Sequence, residues 1–325
     1  MTKNIDSDEL NLMVSVVKKY YEMGMTQEQI AKEEFISKSS ICRLIKKAIA
    51  NGVVSFQINY PADSIYELEN EFYSHFDLDK VVIVPTSIDD IGTRMKDTCR
   101  MVASDLCKII RPNDILGVSW GLTMDQLAST ISTEMLINKK CDKVVMMNGS
   151  IASEVYSTKS SYIIEQFADF FSAEGYLLPV PMIVDTKELA DMLKMDSHIK
   201  YVMEYANSSN LAVFSIGSAS YESVLHRQGA YSKEDYEDVL TRGAVGDILG
   251  RCFDIDGQPV SGEIEGRIIG MDIETLKSKK IRIGIGVGNK KARAIIGALR
   301  GRMINRLYID GMTAREVARL INVGR

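Results

Sequence analysis

Lys291 follows three alternating glycines, Gly284, Gly286 and Gly288, within the stretch IRIGIGVGNKKARAIIGALRG from Ile281 to Gly301. Ile281, Ile283, Ile285 and Val287 alternate as a buried strand would, and Ala292, Ile295, Ile296 and Leu299 recur at helical spacing. A glycine loop between a strand and a helix aims unpaired N–H groups and the positive end of the helix dipole at whatever occupies it. Lys291, expected in the first helical turn, adds a full charge, and Asn289 suits either a positive φ or a helix N-cap. The stretch is a candidate cradle for a phosphorylated or polyhydroxylated small molecule. The same glycines would equally serve close strand-to-helix packing, because a GxGxG without a further glycine does not separate the two. A dinucleotide site fits less well, since it needs that further glycine as well as an acid near Asp310.

A second reactive group is Asp247, alone among apolar residues in GAVGDILGRCFD, Gly243 to Asp254. A carboxylate so placed needs hydroxyl or N–H partners, which sugar hydroxyls would supply; capping a helix is the alternative role.

The elements that must position these groups alternate. Strands are expected at Val81 to Val84, Ile115 to Val118, Val144 to Met147 and Leu211 to Ile216, with helices at Asp90 to Ile110, from Thr123, and near Ser161 to Ala173. This order predicts an α/β fold with a mostly parallel sheet covered on both faces, in which small ligands bind beyond the C-terminal strand ends. That rule selects the loops Ser119-Trp120-Gly121-Leu122-Thr123, Asn148-Gly149-Ser150, Gly217 to Ser220, and Gly286 to Lys291 with Gly288 and Asn289. Each carries glycine with hydroxyl or amide groups, which suits a polyol.

The N-terminal 60 residues read differently. Asp8 to Met23 is an amphipathic helix closed by Gly24; Thr26 with Gln29 forms a capping box over a short second helix; Ser37 caps a third, Lys38 to Ala50, ended by Gly52. Ile41, Leu44, Ile45 and Ile49 form its expected buried side. Four basic and no acidic residues lie between Ser37 and Lys47. This is a helix-turn-helix whose third helix has the charge that a phosphate backbone selects and short polar groups able to reach base edges. The expected DNA contacts are Thr26, Gln27, Ser37, Lys38, Ser39, Ser40, Arg43 and Lys47, with a small wing strand at Val53 to Tyr60. Residues 61–77 carry an amphipathic helix, Ser64 to Phe76, between this module and an effector and oligomerisation domain at 78–325.

With 325 residues, 46% hydrophobic, the chain can bury one large core and a small satellite, and its net charge of −5 leaves nucleic-acid binding to a local basic patch. No apolar run is long enough to span a bilayer, which implies a cytoplasmic protein without a membrane partner. The five cysteines are widely spaced without CxxC, so neither disulfides nor a metal site nor a cofactor is expected.

The segments TQEQIAKEEFISKSSICRLIKKAIANGVV, ILGVSWGLTM, GYLLPVPMIV, VFSIGSA, GAVGDILGRCFDIDG and RIGIGVGNKKARAIIGALRGRMINRLYIDGMTAREVARL resemble, in order and over nearly the whole chain, the SorC family of bacterial transcriptional regulators, related to DeoR. The resemblance implies a winged helix-turn-helix on an effector domain similar in fold to sugar-phosphate isomerases, in a homo-oligomer that is usually tetrameric. It implies regulation of operator DNA by a sugar or sugar phosphate. It also implies that Ser119, Gly121 and Thr123 contact the effector, that Asn148 and Gly149 belong to the family's NGG, that Asp247 holds hydroxyls and that Lys291 serves the phosphate. NGG reads NGS here, and GVAGG reads IGVGN, so Asn289 reshapes the cradle. The rival function is a sugar-phosphate isomerase or deaminase with an added N-terminal domain. Such chemistry needs a placed general base, and none of His75, His198 and His226 lies beside a candidate loop.

Overall fold

In the computed structural model, which describes residues 7–54, 63–86, 88–131, 139–151 and 159–323, the chain divides into two units, Met1–Tyr60 and Pro61–Arg325. The smaller holds α1 (Ser7–Val17), continued by a π-helical turn Lys18–Glu22, then α2 (Gln27–Glu33) and α3 (Lys38–Ala50). Thr26 and Gln29 close the expected capping box, and Ser37 caps α3 by accepting from the Ser40 N–H at 3.1 Å. Val16, Ile30, Ile41 and Ile45 form one cluster, and Met13, Val17 and Ala48 a second. Ile49, expected on the buried side of α3, is 42% exposed, because Ala48 is the residue that packs against α1. Val53 and Val54 pack there too, whereas the rest of the expected wing strand lies outside the described residues.

The larger unit opens with α4 (Asp63–His75), which runs into β1 (Lys80–Val84). The helix expected to stand between domains is built into this body: Phe72 is fully buried in its core, and Tyr73 Oη and Glu69 Oε1 accept from the Val81 and Ile83 N–H groups. Alternation follows, as α5 (Ile91–Ile109), β2 (Ile115–Val118), α6 (Leu122–Ile131), β3 (Lys143–Met146), α7 (Ser160–Phe170) and β4 (Glu174–Tyr176). Next come α8 (Lys187–Met195), α9 (Ser197–Ser208) and β5 (Leu211–Ser215). After β5 the pattern breaks into β6 (Gly217–Ser218), α10 (Val224–Arg227), α11 (Lys233–Thr241), β7 (Gly246–Ile248), β8 (Arg251–Phe253) and α12 (Ile273–Lys277). It resumes with β9 (Ile281–Gly286), α13 (Ala292–Arg300), β10 (Arg306–Asp310) and α14 (Gly311–Val323).

The main sheet is parallel with order β1-β10-β9-β5-β2-β3-β4, and β6, β7 and β8 form a small antiparallel sheet. Parallel strands carrying helices on both faces are apolar on both sides, as the burial of Val144 to Met147 and Leu211 to Phe214 shows. Two of the three glycines singled out in the sequence serve packing. A Cβ on Gly284 would meet Ile304 at 2.6 Å, and one on Gly286 would meet Ile295 of α13 at 2.6 Å.

Candidate functional site

The four loops selected from the sequence leave β9, β5, β2 and β3, which are four consecutive strands of the sheet. Their residues therefore meet along one stretch of its C-terminal edge. Lys291 lies at the centre. It is the last residue of a 3-10 turn, Asn289–Lys291, and immediately precedes α13, one position earlier than the first turn expected. Its Nζ donates to Ser215 Oγ at 3.2 Å, and Ser215 Oγ donates to Thr123 Oγ1 at 3.2 Å, so the loops after β9, β5 and β2 are joined through one ammonium and two hydroxyls. Behind them the Cys99 thiol donates to the Thr123 carbonyl, and burial pushes it up to about 12, which keeps it neutral.

Asp247 reaches the same place from the small sheet. It stands on β7 opposite Gly217 of β6, two residues beyond Ser215, and does not cap a helix. A Cβ on Gly217 would fall 1.9 Å from Asp247 Oδ1, so glycine is required there by close approach of the carboxylate. Asp247 and Lys291 both keep part of their surface open to solvent while lying deep among protein atoms. Burial raises the Asp247 carboxyl to about 6, against the Gly250 N–H and the Lys291 charge that hold it down. Burial lowers Lys291 to about 8, against the carboxylate of Asp247. Near neutrality the site holds one negative and one positive group, each poorly solvated.

Asn148, which follows β3, is buried, and its Oδ1 has no hydrogen-bond partner. An orphaned buried acceptor costs roughly 1–3 kcal/mol, which a hydroxyl or N–H donor would recover. Gly149 has a packing role: a Cβ there would lie 2.6 Å from the Val180 carbonyl, and its own carbonyl accepts from Trp120 Nε1 at 2.6 Å. Ser119 and Thr123 are buried, Gly121 takes a left-handed φ of 125°, and Ser150 is half-buried, with its N–H and C=O bonded to Val180 and Met182.

The Gly288–Asn289 corner differs from the sequence expectation. Asn289 neither caps α13 nor takes a positive φ; Gly288 does the latter at 108°. The Gly288 N–H, expected to face a ligand, donates to Thr313 Oγ1 at 2.8 Å and Asp310 Oδ2 at 3.2 Å, and Asn289 Oδ1 accepts from Arg94 Nη2 at 2.9 Å. Asp310, the acid weighed for a nucleotide ribose, is fully buried and committed to these internal bonds. Sequence reasoning missed Ser215, Arg94 and two braces. Tyr236 Oη bonds both backbone groups of Ser220, and Tyr231 Oη donates to the Gly250 carbonyl at 2.6 Å. No local spacing signals them, because their partners are brought together by the sheet order.

In the smaller unit, Thr26, Ser37, Lys38, Ser39, Arg43 and Lys47 are exposed, and Gln27 and Ser40 are half-buried. The Ser37 hydroxyl bonds those of Ser39 and Ser40, each at 2.8 Å, at the start of α3, while Lys47 is already paired with Glu9 of α1 at 2.5 Å.

A helix-turn-helix unit joined to an α/β unit that gathers an ammonium, a carboxylate and hydroxyls beyond its strand ends is the make-up of a ligand-responsive transcription factor. Residues 60–319 match a family model described as "Putative sugar-binding domain". The chain is 30% identical over 313 residues to the deoxyribonucleoside regulator of Bacillus subtilis, covering 96% of this chain and 99% of the relative. It is 28% identical over 320 residues to the sorbitol operon regulator of Klebsiella pneumoniae, covering 97% and 99%. The crystal structure of the full-length regulator SorC from Klebsiella pneumoniae superposes with a TM-score of 0.76 at 26% identity, covering 96% of this chain and all of that one. The chain belongs to the SorC family of sugar-binding transcriptional regulators.

Proposed function

We propose that this regulator controls a carbohydrate-utilisation operon by binding its operator through α3, and that a sugar, polyol or sugar phosphate held across the four loops changes that binding. The observation that carries the reading is the pair Lys291 and Asp247, one bonded to Ser215 and the other facing Gly217 two residues on, with the unpartnered, buried Asn148 Oδ1 following β3 of the same main sheet as Ser215. An ammonium suits an anionic group, and a carboxylate and an amide oxygen suit hydroxyls, so one ligand with a charged end and a hydroxylated end satisfies all three. The ligand leaves chemically unchanged; the protein acts as a sensor and not as an isomerase or deaminase. Reading a symmetric operator needs two recognition helices about one turn of DNA apart or a multiple of it, which supports a homo-oligomer, taken here as a tetramer. Among the described residues no helix is long and apolar enough to cross a membrane.

A thermal-shift screen of sugars, polyols and their phosphates tests the reading, since a ligand at about 100 times its Kd stabilises by roughly 2.7 kcal/mol. At least one carbohydrate is expected to raise the melting temperature of the wild type and to lose that effect in Asp247→Asn. A response to none of them would sink the proposal.

A further inference from the structure

Arg94, on α5, is 7% exposed and donates to four acceptors from three segments of the chain. Nε reaches Asp310 Oδ1 at 2.9 Å, Nη1 reaches Asp89 Oδ1 at 3.0 Å, and Nη2 reaches Asn289 Oδ1 at 2.9 Å and Thr313 Oγ1 at 3.2 Å. Asp310 and Thr313 in turn hold the Gly288 N–H, and Asp310 Oδ1 also accepts from the N–H groups of Met312 and Thr313 at 3.1 Å, which fixes the N-terminus of α14. A buried guanidinium against a fully buried carboxylate persists only when its donor sites are filled, and the planar fork of arginine is what fills several at once. Displacing the Gly288–Asn289 corner therefore breaks bonds at the start of α14.

The other end of α14 reports elsewhere. Asn322 Nδ2 donates to Glu71 Oε1 of α4 at 2.7 Å, and α4 and α14 pack together. From Thr313 to Asn322 a rigid helix spans about 14 Å. In sequence, α4 is the first element after the smaller unit.

We propose that Arg94 is a positioning residue that clasps the Gly288–Lys291 loop to α14, and that occupation of the cleft is passed along α14 to α4, the helix that follows the DNA-binding unit. The proposal rests on the reading of the cleft as the effector site, but the link from clasp to α4 belongs to the free protein and is measured without ligand or DNA.

Native-state hydrogen exchange on the full-length protein tests it. Arg94→Lys is expected to speed exchange of the Gly288 amide by about tenfold or more and the most protected amides of α14 and α4 by about three- to tenfold, leaving α9 as in the wild type. If the two ends of α14 open together, Asn322→Ala, at an exposed pair far from the cleft, should speed Gly288 exchange as well, by about two- to threefold. A purely structural role for either residue would not carry the effect in both directions. Gly288 exchange unchanged in Asn322→Ala overturns the proposal, as does an Arg94→Lys effect confined to residues 288–291. Should Arg94→Lys not fold, the Asn322→Ala arm decides alone. A carbohydrate screen without a hit would remove the effector reading and leave the exchange result standing.

Discussion

Gly217 and Asp247 face each other across the β6–β7 pair so closely that a single methyl on residue 217 would sit 1.9 Å from Asp247 Oδ1. The carboxylate thus lies over the backbone of residue 217, two residues beyond Ser215, whose Oγ accepts from Lys291 Nζ. Gly217→Ala is therefore expected to push the carboxylate aside while leaving both sheets intact. Losing a hydrogen bond to a charged group costs roughly 1.5–3 kcal/mol, so calorimetry should show affinity for the carbohydrate ligand falling about ten- to a hundredfold. Unchanged affinity would mean that Asp247 does not hold the ligand.

The pH dependence of ligand affinity follows from the same pair. The Asp247 carboxyl is raised from 3.8 to about 6, so its contribution to folding is present below 3.8 and lost as pH rises through 6. Lys291 is lowered from 10.5 to about 8, so its contribution is present above 10.5 and lost as pH falls through 8. Between about 6 and 8 both groups are charged at a cost to the free protein, and a complementary ligand relieves both. Ligand-induced thermal stabilisation should accordingly be greatest in that window and shrink on either side. A response that rises steadily above pH 8 would contradict the role of the Lys291 charge.

Lys291→Ala separates phosphate from hydroxyl recognition. Removing one charge-assisted contact should cost a sugar phosphate roughly ten- to a hundredfold in affinity and the free sugar almost nothing, whereas Asp247→Asn should weaken both. Equal behaviour of Lys291→Ala and wild type toward both ligands would leave the residue as a loop brace for Ser215.

Phe35 connects α2 to α3 with φ of 56° and is 92% exposed. A left-handed conformation costs a non-glycine residue roughly 1–2 kcal/mol, and glycine carries an entropic penalty of about 0.5–1 kcal/mol. Phe35→Gly should therefore stabilise the smaller unit by about 0.5–1 kcal/mol, read from slower exchange of the Ile30, Ile41 and Ile45 amides. Faster exchange would show that the exposed ring makes a stabilising contact.

How much of this was written in local sequence differs by element. The capping box at Thr26 and Gln29, the Ser37 cap and the strand-loop-helix at Ile281 to Arg300 were legible because each rests on residues within a turn or two of one another. The grouping of the four loops was legible because a parallel sheet places post-strand loops on one edge, and β9, β5, β2 and β3 are neighbours. What was not legible depends on partners distant in sequence. Arg94 and Asp310 are 216 residues apart, Lys291 and Ser215 are 76 apart, and nothing near Arg94 distinguishes it from a surface cation. Asn289 was misread for that reason, since its amide oxygen answers to Arg94 and not to its own helix. The antiparallel β6–β8 insert escaped because strands of two or three residues carry too few alternations to register.

The central claim is that carbohydrate in the cleft of the larger unit changes operator binding by the smaller one. It is tested most directly by fluorescence anisotropy of the full-length protein on the DNA upstream of its own operon, with and without each compound that raises its melting temperature. The account predicts that such a compound shifts operator affinity by about 5- to 150-fold and is recovered chemically unchanged. The shift should be abolished by Asp247→Asn, and DNA binding itself should be weakened by Arg43→Ala. Operator affinity that no stabilising compound alters, or a compound consumed by the wild type and spared by Asp247→Asn, would contradict it.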